Sequence, residues 1–131
     1  MAKFIKFELV GGGPNNPTAT TAYNPTGGLT VPFYVNVDRI RAVSPSASGN
    51  YPQLTIWIEG GGAGFNTVTT ASEILKIYGT SNADAAEKAK AAERAVKAIV
   101  DILENTSEDS SIVDFPVVAG FQTLSMDVAF S

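Results

Sequence analysis

Asp38, Asp114 and Asp127 are the carboxylates that fall within strand-like stretches of the sequence. Two carboxylates that face one another in a cleft could perform general acid and base catalysis, as in the hydrolysis of glycosides. Nothing in the spacing of these residues pairs them in this way. The chain also has no cysteine and no histidine, which excludes thiolate nucleophiles, imidazole bases and zinc sites built from those residues. We therefore expect a protein that is not an enzyme and that has neither a metal site nor a cofactor.

A glycine-rich run at residues 60–64, with the sequence GGGAG, is another stretch that could bind a ligand. Such loops hold phosphate groups through their backbone N–H groups when they lead into a helix. This run lacks the Lys and the Ser or Thr that end a phosphate-binding loop, and it does not open directly into a predicted helix. The flexible tip of a hairpin is the better interpretation.

Binding to nucleic acid would require basic residues that meet the phosphates. The formal net charge is -4 and the isoelectric point is about 4.6, so the whole chain offers no basic footprint. A local patch could form if the first two predicted strands pair. Its candidate residues are Lys3, Lys6, Arg39 and Arg41. The aromatic rings that could stack on bases are those of Phe33, Tyr34 and Tyr51.

These residues would be held mainly by β-strands. Alternating apolar residues predict strands over residues 3–10, 31–43, 53–59 and 123–130. After Asp38-Arg39 the apolar positions change phase, which is typical of a bent strand at the corner of a small barrel. Residues 44–50 are predicted to form a turn-rich loop. Residues 11–28 are rich in Asn, Pro, Thr and Gly and predict a flexible surface insertion that is dispensable for folding.

One long helix is predicted over residues 83–104, with Ser81-Asn82 as its N-cap. Residues 65–79 stay open between a short helix and a strand, and we favour the strand for Ile74–Tyr78. The predicted fold class is therefore mainly β with one long helix, a β-rich α+β domain built as a small, bent, antiparallel barrel.

The last predicted strand has no lysine, proline or glycine between Gln122 and Ser131. Natural proteins usually protect a free strand edge with lysine, proline or a β-bulge. We therefore expect this strand to pair with a second copy of the chain, in a homo-oligomer that closes into a ring if the rotation allows it. The interface candidates are Leu124, Met126, Val128 and Phe130, together with Trp57 as an outward-facing anchor. The alternative for Trp57 is burial under the helix.

Three segments carry a resemblance to a known family: residues 33–40 (FYVNVDRI), 74–103, and the tail from 112 to 130 that ends in LSMDVAF. They resemble a family of small marine-phage proteins, associated with cyanophages, that is similar in fold to Sm-like proteins and can assemble as rings. The resemblance covers most of the chain outside residues 11–28 and 44–52. It implies a single Sm-like barrel domain over residues 1–131 and a self-assembling structural or scaffold protein. Other virion proteins are further candidate partners.

The loops that bind RNA in Sm proteins differ in this chain. Those proteins carry an Asp and an Asn after the second strand and an Arg-Gly pair after the fourth. Residues 44–50 read SPSASGN and residues 78–82 read YGTSN, so neither pattern is present. Sm proteins also place their helix first, whereas the predicted helix here precedes the last strand. A nucleic-acid-binding Sm-like oligomer is therefore the alternative function and not the favoured one.

The sequence also limits where the protein is expected to act. No apolar run approaches the ~20 residues that a membrane-spanning helix needs. The N-terminal residues, MAKFIKF, alternate and do not form the apolar centre of a signal peptide. These features predict a protein that is neither secreted nor bound to a membrane, and the resemblance implies the host cytoplasm or the virion.

Overall fold

The computed structural model describes residues 4–14, 21–26, 28–59, 73–105 and 112–130. In that part the chain forms eight strands, one α-helix and one 3-10 helix. The strands are β1 (Phe4–Leu9), β2 (Thr21–Tyr23), β3 (Val31–Asn36), β4 (Ile40–Ser48), β5 (Tyr51–Ile58), β6 (Glu73–Tyr78), β7 (Ile112–Asp114) and β8 (Ser125–Phe130). The 3-10 helix spans Val37–Arg39, and the α-helix, α1, spans Ala85–Glu104. The predicted class, mainly β with one long helix, is confirmed, as is the strand favoured at Ile74–Tyr78.

The strands form two sheets. The smaller sheet has three strands in the order β3-β1-β7, and the larger has five in the order β2-β8-β6-β5-β4. Each described pairing is antiparallel except that of β7, which runs parallel to β1. The prediction of a wholly antiparallel fold is therefore wrong at β7. Parallel strands need a long connection between them, and β1 and β7 lie near opposite ends of the chain, with the strands β2 to β6 and α1 between them.

β3 and β4 are consecutive strands that carry the chain from the smaller sheet into the larger one, with the 3-10 helix at the bend between them. The Asn36 side chain stabilises this bend, because its Oδ1 accepts a 3.0 Å hydrogen bond from the N–H of Asp38. The register between β4 and β5 then shifts between Ile40 and Ala42. The bend predicted from the change of apolar phase is confirmed.

The loop predicted over residues 44–50 is wrong, because β4 continues to Ser48 and pairs with β5 along this length. Gly49 and Asn50 alone form the turn, and Gly49 has a φ of 59°, which favours glycine. The serines and Pro45 indicate a turn by composition. They are accommodated in β4 because it is an edge strand, where proline is tolerated.

The helix α1 begins after Asp84, whose Oδ1 accepts a 3.1 Å hydrogen bond from the N–H of Glu87. Asp84 is therefore the N-cap in place of the predicted Ser81-Asn82. The Asn82 side chain instead accepts a 2.9 Å hydrogen bond from the N–H of Asp84. The buried face of the helix consists of Ala91, Ala92, Ala95 and Ile99. Its small side chains let the helix lie close to β4 and β5.

Both sheets and the helix share one hydrophobic core. Its largest fully buried side chains come from alternate positions of the strands, the pattern that predicted them. They include Ile5, Phe7 and Leu9 of β1, Leu54, Ile56 and Ile58 of β5, Leu75 and Ile77 of β6, and Met126 of β8. The two sheets therefore stabilise one another.

The two sheets meet where β1 ends and β8 begins. The N–H groups of Val10 and Gly11 donate to the carbonyl oxygens of Thr123, at 3.1 Å, and Leu124, at 2.7 Å. The Thr123 hydroxyl donates a 2.6 Å hydrogen bond to the carbonyl oxygen of Glu8. These bonds join the two sheets locally, but the described strands form two sheets and not one closed barrel.

The segment predicted as a flexible insertion, residues 11–28, is partly built into the fold. Thr21–Tyr23 form β2, which pairs with β8, and the ring of Tyr23 lies 5.8 Å from that of Phe33. Gly11 is buried with a φ of 88°, and a side chain there would collide with the carbonyl oxygen of Pro25. The prediction is wrong for these residues, because a strand of 3 residues is too short to show an alternating pattern.

Candidate interaction surface

The terminal strand β8 is not an edge strand of the larger sheet. It pairs with β6 along its length, and at Met126–Val128 it also pairs with β2 on its other side. Met126 and Val128 are completely buried in the core of the same chain. Leu124 is half-buried, and the side chain of Phe130 lies outside the described part. The premise of the predicted interface, that one side of β8 has no neighbour within the chain, is therefore wrong, because the last strand in sequence lies between two earlier strands in space.

The longer edge strands are protected against pairing with another chain. β4 carries Pro45 and a shift of register near Ile40, and β3 carries Pro32. Proline has no N–H to offer a neighbouring strand, and a bulge twists the edge away from it. The other edge strands, β2 and β7, have 3 residues each. Strand addition is therefore a poor route to self-association.

Trp57 is half-buried on the outer face of β5 and is not one of the core residues. Together with Arg41 and Ala42 it lines an open depression of about 330 Å³. The helix α1 contributes its alanines to the core on the opposite face of β5. The arrangement agrees with the outward orientation of Trp57 and not with burial under the helix.

Lys6 lies in the middle of the smaller sheet, between Tyr34 of β3 and Asp114 of β7. Its Nζ is 3.4 Å from Oε1 of Glu8. The hydrogen bond to Glu8 is the main cause that raises the pKa of Lys6, and the charges of Glu8 and Asp114 act in the same direction. Lys6 is thus flanked by two carboxylates, those of Glu8 and Asp114.

The other basic candidates lie elsewhere. Arg41 is on β4 in the larger sheet, beside Trp57, and Arg39 is exposed at the end of the 3-10 helix. Lys3 lies outside the described residues. Lys6 and Arg41 belong to different sheets and line different depressions, so the structure does not gather the predicted basic patch.

A buried polar pair lies on the face of the larger sheet that points away from the shared core. The hydroxyl of Tyr78 donates a 2.6 Å hydrogen bond to Oδ2 of Asp127, which is only 2% exposed. Burial, reinforced by this bond, raises the pKa of Tyr78 far above its usual value. The tyrosine therefore stays protonated and donates to the carboxylate at neutral pH. The pair satisfies a buried charge, and sequence analysis missed Tyr78 because the partners are 49 residues apart.

The three aspartates that the sequence singles out are dispersed. Asp38 is in the 3-10 helix, Asp114 on β7 and Asp127 on β8. Among the described residues, no three acidic side chains lie together as a site for a metal ion. In the same part of the chain, no helix has the length and apolar character needed to cross a membrane.

The connection between β7 and β8 carries the most exposed large apolar side chain of the described residues. Val117 is fully exposed, and together with Pro116 and Val118 it forms the wall that two grooves share. Residues 115–119 are named here the Val117 ridge. The helix-side groove, of about 440 Å³, lies between the ridge and α1. The strand-side groove, of about 460 Å³, lies between the ridge and β1.

The Val117 ridge is anchored at both ends. The N–H of Phe115 donates to the carbonyl oxygen of Lys6 at 2.9 Å, and the ring of Phe115 lies 4.9 Å from that of Phe7. At the other end, Nη1 of Arg94 donates a 2.8 Å hydrogen bond to the carbonyl oxygen of Ala119. The exposure of Val117 is therefore imposed by a fixed backbone.

Sequence analysis did not identify this ridge. Pro116 indicates only the end of a short extended piece, and nothing in the chain's periodicity gives the next residues a function. The available signal is the run PVVAG at 116–120, which is apolar although it lies in a connection, where polar residues are usual.

Comparison with known proteins gives no match: no protein-family model fits the chain, and no similarity was found to curated proteins or to solved structures. The resemblance to the marine-phage family therefore stays a prediction from the sequence.

Proposed function

We propose that this chain is a non-enzymatic protein that associates with copies of itself and serves a structural or scaffold role. The observation that carries the proposal is the full exposure of Val117 on an anchored ridge between two grooves. Ile112, which is 49% exposed on β7, adds apolar surface just before the ridge. Exposed apolar surface beside grooves is typical of interaction sites in soluble proteins.

The Sm-like barrel implied by the resemblance is part of this proposal. It is supported by the bent passage from β3 to β4, by the common core, and by the backbone hydrogen bonds from Val10 and Gly11 to Thr123 and Leu124. A ring-forming assembly, an origin in a marine phage, and a place in the host cytoplasm or the virion are inferred from the resemblance alone.

Nucleic-acid binding is the weaker candidate. Its best site is the outer face of the smaller sheet, where Tyr34, 40% exposed, lies opposite Lys6. A base could stack on the tyrosine ring. However, Glu8 and Asp114 flank Lys6, and their charges oppose the approach of phosphate groups.

Light scattering coupled to size-exclusion chromatography tests the proposal. We expect a multiple of 13.7 kDa at micromolar concentration, with a shift towards the single chain on dilution. Single-stranded RNA added to the same run tests the weaker candidate, because co-elution that disappears at high salt is the behaviour of phosphate binding. The mass of one chain at every concentration would contradict self-association.

A further inference from the structure

We propose that the Val117 ridge and the helix-side groove form a two-fold contact with a second copy of this chain, in which Val117 of each copy occupies the helix-side groove of the other. This inference rests on the proposed self-association and names a surface that would pair two copies; a ring would need a further, head-to-tail contact. It replaces the predicted contact through β8, because that strand lies between β6 and β2 within the chain.

The helix-side groove suits an aliphatic side chain. The apolar part of its lining comes from α1, β7 and the ridge, and it includes Ala98, Ile102, Val113, Pro116 and Val118. Its volume of about 440 Å³ leaves room for Val117 of a second copy and for part of the backbone that carries it. Filling the groove in this way would remove apolar surface of both copies from water.

A two-fold contact requires a patch that is complementary to itself, because each residue that projects must meet a cavity in the same patch of the other copy. The ridge and the groove meet this condition, since Val117 projects from the wall of the groove that would receive its counterpart. A peptide or an unrelated protein would use the groove but would leave the projecting valine without a partner. The observed shape therefore favours a second copy.

The charges around the two grooves are complementary. The charged residues that line the helix-side groove are Arg94, Lys97 and Asp101, with two positive charges and one negative. Those that line the strand-side groove are Lys6, Glu8 and Asp114, with one positive charge and two negative. Within each copy Lys97 pairs with Asp101, and Lys6 pairs with Glu8. Arg94 of the helix-side groove and Asp114 of the strand-side groove remain as the opposite charges that two copies would bring together. Such complementarity fixes the orientation of two partners.

The anchoring of the ridge also favours association. The bonds that hold Phe115 and Ala119 are already present in the single chain. A surface that is ordered before binding loses less conformational entropy when the partner arrives. The ridge therefore needs no rearrangement before it enters a groove.

The first test is Val117→Asp, which would place a charge in an apolar groove. We expect the dissociation constant, measured by sedimentation velocity over a dilution series, to rise by about tenfold or more. The matched control is Leu29→Asp, because Leu29 is 69% exposed and lines neither groove. Circular dichroism of both variants checks that they fold. An oligomer that withstands Val117→Asp as well as it withstands Leu29→Asp would overturn this inference.

The second test locates the contact. The chain has no cysteine, so introduced thiols can react only with one another. A mixture of the Val117→Cys and Ala98→Cys proteins should form disulfide-linked pairs under mild oxidation, because the geometry of a disulfide demands close approach. A mixture of Leu29→Cys and Ala98→Cys serves as the control, and equal yields from the two mixtures would overturn the proposed contact.

These experiments distinguish a failure of self-association from a failure of the Val117 contact. A wild-type chain that is monomeric at all concentrations would overturn the proposed function and, with it, this inference. An oligomer that is unaffected by Val117→Asp would overturn this inference alone and leave self-association standing.

Discussion

Asp127 of β8 depends on a hydrogen bond from Tyr78, a residue 49 positions earlier in the sequence. Asp127 is almost completely buried, and a buried carboxylate is destabilising unless it is hydrogen-bonded. The 2.6 Å bond from the Tyr78 hydroxyl supplies one such partner. The importance of the bond lies mainly in the penalty that would follow its loss, since an unsatisfied buried acceptor costs more than the net gain from an ordinary hydrogen bond.

Tyr78→Phe tests this role. The change removes the donor and keeps the ring, so we expect the free energy of unfolding at neutral pH to fall by about 1–3 kcal/mol. Urea denaturation provides the measurement. Tyr34→Phe, at an exposed tyrosine of the other sheet, is the control. Equal losses in the two variants would show that the bond to Asp127 contributes nothing particular.

The raised pKa of Tyr78 adds a pH dependence to the same comparison. In the unfolded chain the phenol ionises near pH 10.0, and in the folded chain it ionises at higher pH. Its contribution to stability is therefore complete below pH 10.0 and is lost as the pH rises above that value. Lys6, whose pKa is also raised, adds a decline of the same sign in both proteins. The free energy of unfolding should thus fall more steeply above pH 10.0 in wild type than in Tyr78→Phe.

At the scale of elements, the strands β1 and β5 follow from the sequence because their alternating apolar residues lie in the core. The neighbours of each strand do not follow. The prediction that Met126 and Val128 share one apolar face of β8 is correct, and both residues lie in the core. The pattern of one strand, however, does not show which strands flank it. β2 was not predicted because it is short. The second half of β4 was not predicted because its serines and proline are typical of a turn.

The candidate site was harder to predict than the fold. The surroundings of a surface residue depend on the elements that lie next to it in the fold. The grooves beside Val117 are formed by α1 and β1, which lie far from it in the sequence. The apolar run at 116–120 gives a local signal. It could have marked a surface of interest, but it could not have supplied the complementary groove.

Residues 11–28 are expected to be necessary for stability, contrary to the prediction from their composition. Replacing them with a short Gly-Ser linker removes β2 and the packing of Tyr23 against the core. We expect a loss of about 2 kcal/mol or more, the scale for burying one large apolar side chain. Tyr23→Ala should reproduce most of this loss, and Tyr23→Phe, which keeps the ring, should reproduce less. A melting temperature that is unaffected by the linker would restore the original interpretation.

At the scale of the whole molecule, the shared core makes the two sheets interdependent. Ile5 and Phe7 of the smaller sheet and Leu54 and Ile56 of the larger one belong to the same buried cluster. Small domains with one such core usually unfold in a single cooperative transition. The three-stranded sheet has no other apolar layer among the described residues, so it would lose most of its burial if the larger sheet unfolded.

Ile5→Ala tests this interdependence, because the residue lies in one sheet while the sole tryptophan, Trp57, reports on the other. We expect the change to lower the free energy of unfolding by about 2–5 kcal/mol, and to shift the urea midpoints of Trp57 fluorescence and of far-ultraviolet circular dichroism equally. Ile112→Ala is the control, since this isoleucine of the same sheet is 49% exposed and should lose much less. All proteins are compared at one concentration, because self-association adds to apparent stability by mass action. Two separate transitions, with the fluorescence midpoint unmoved by Ile5→Ala, would mean that the larger sheet is stable without the smaller one.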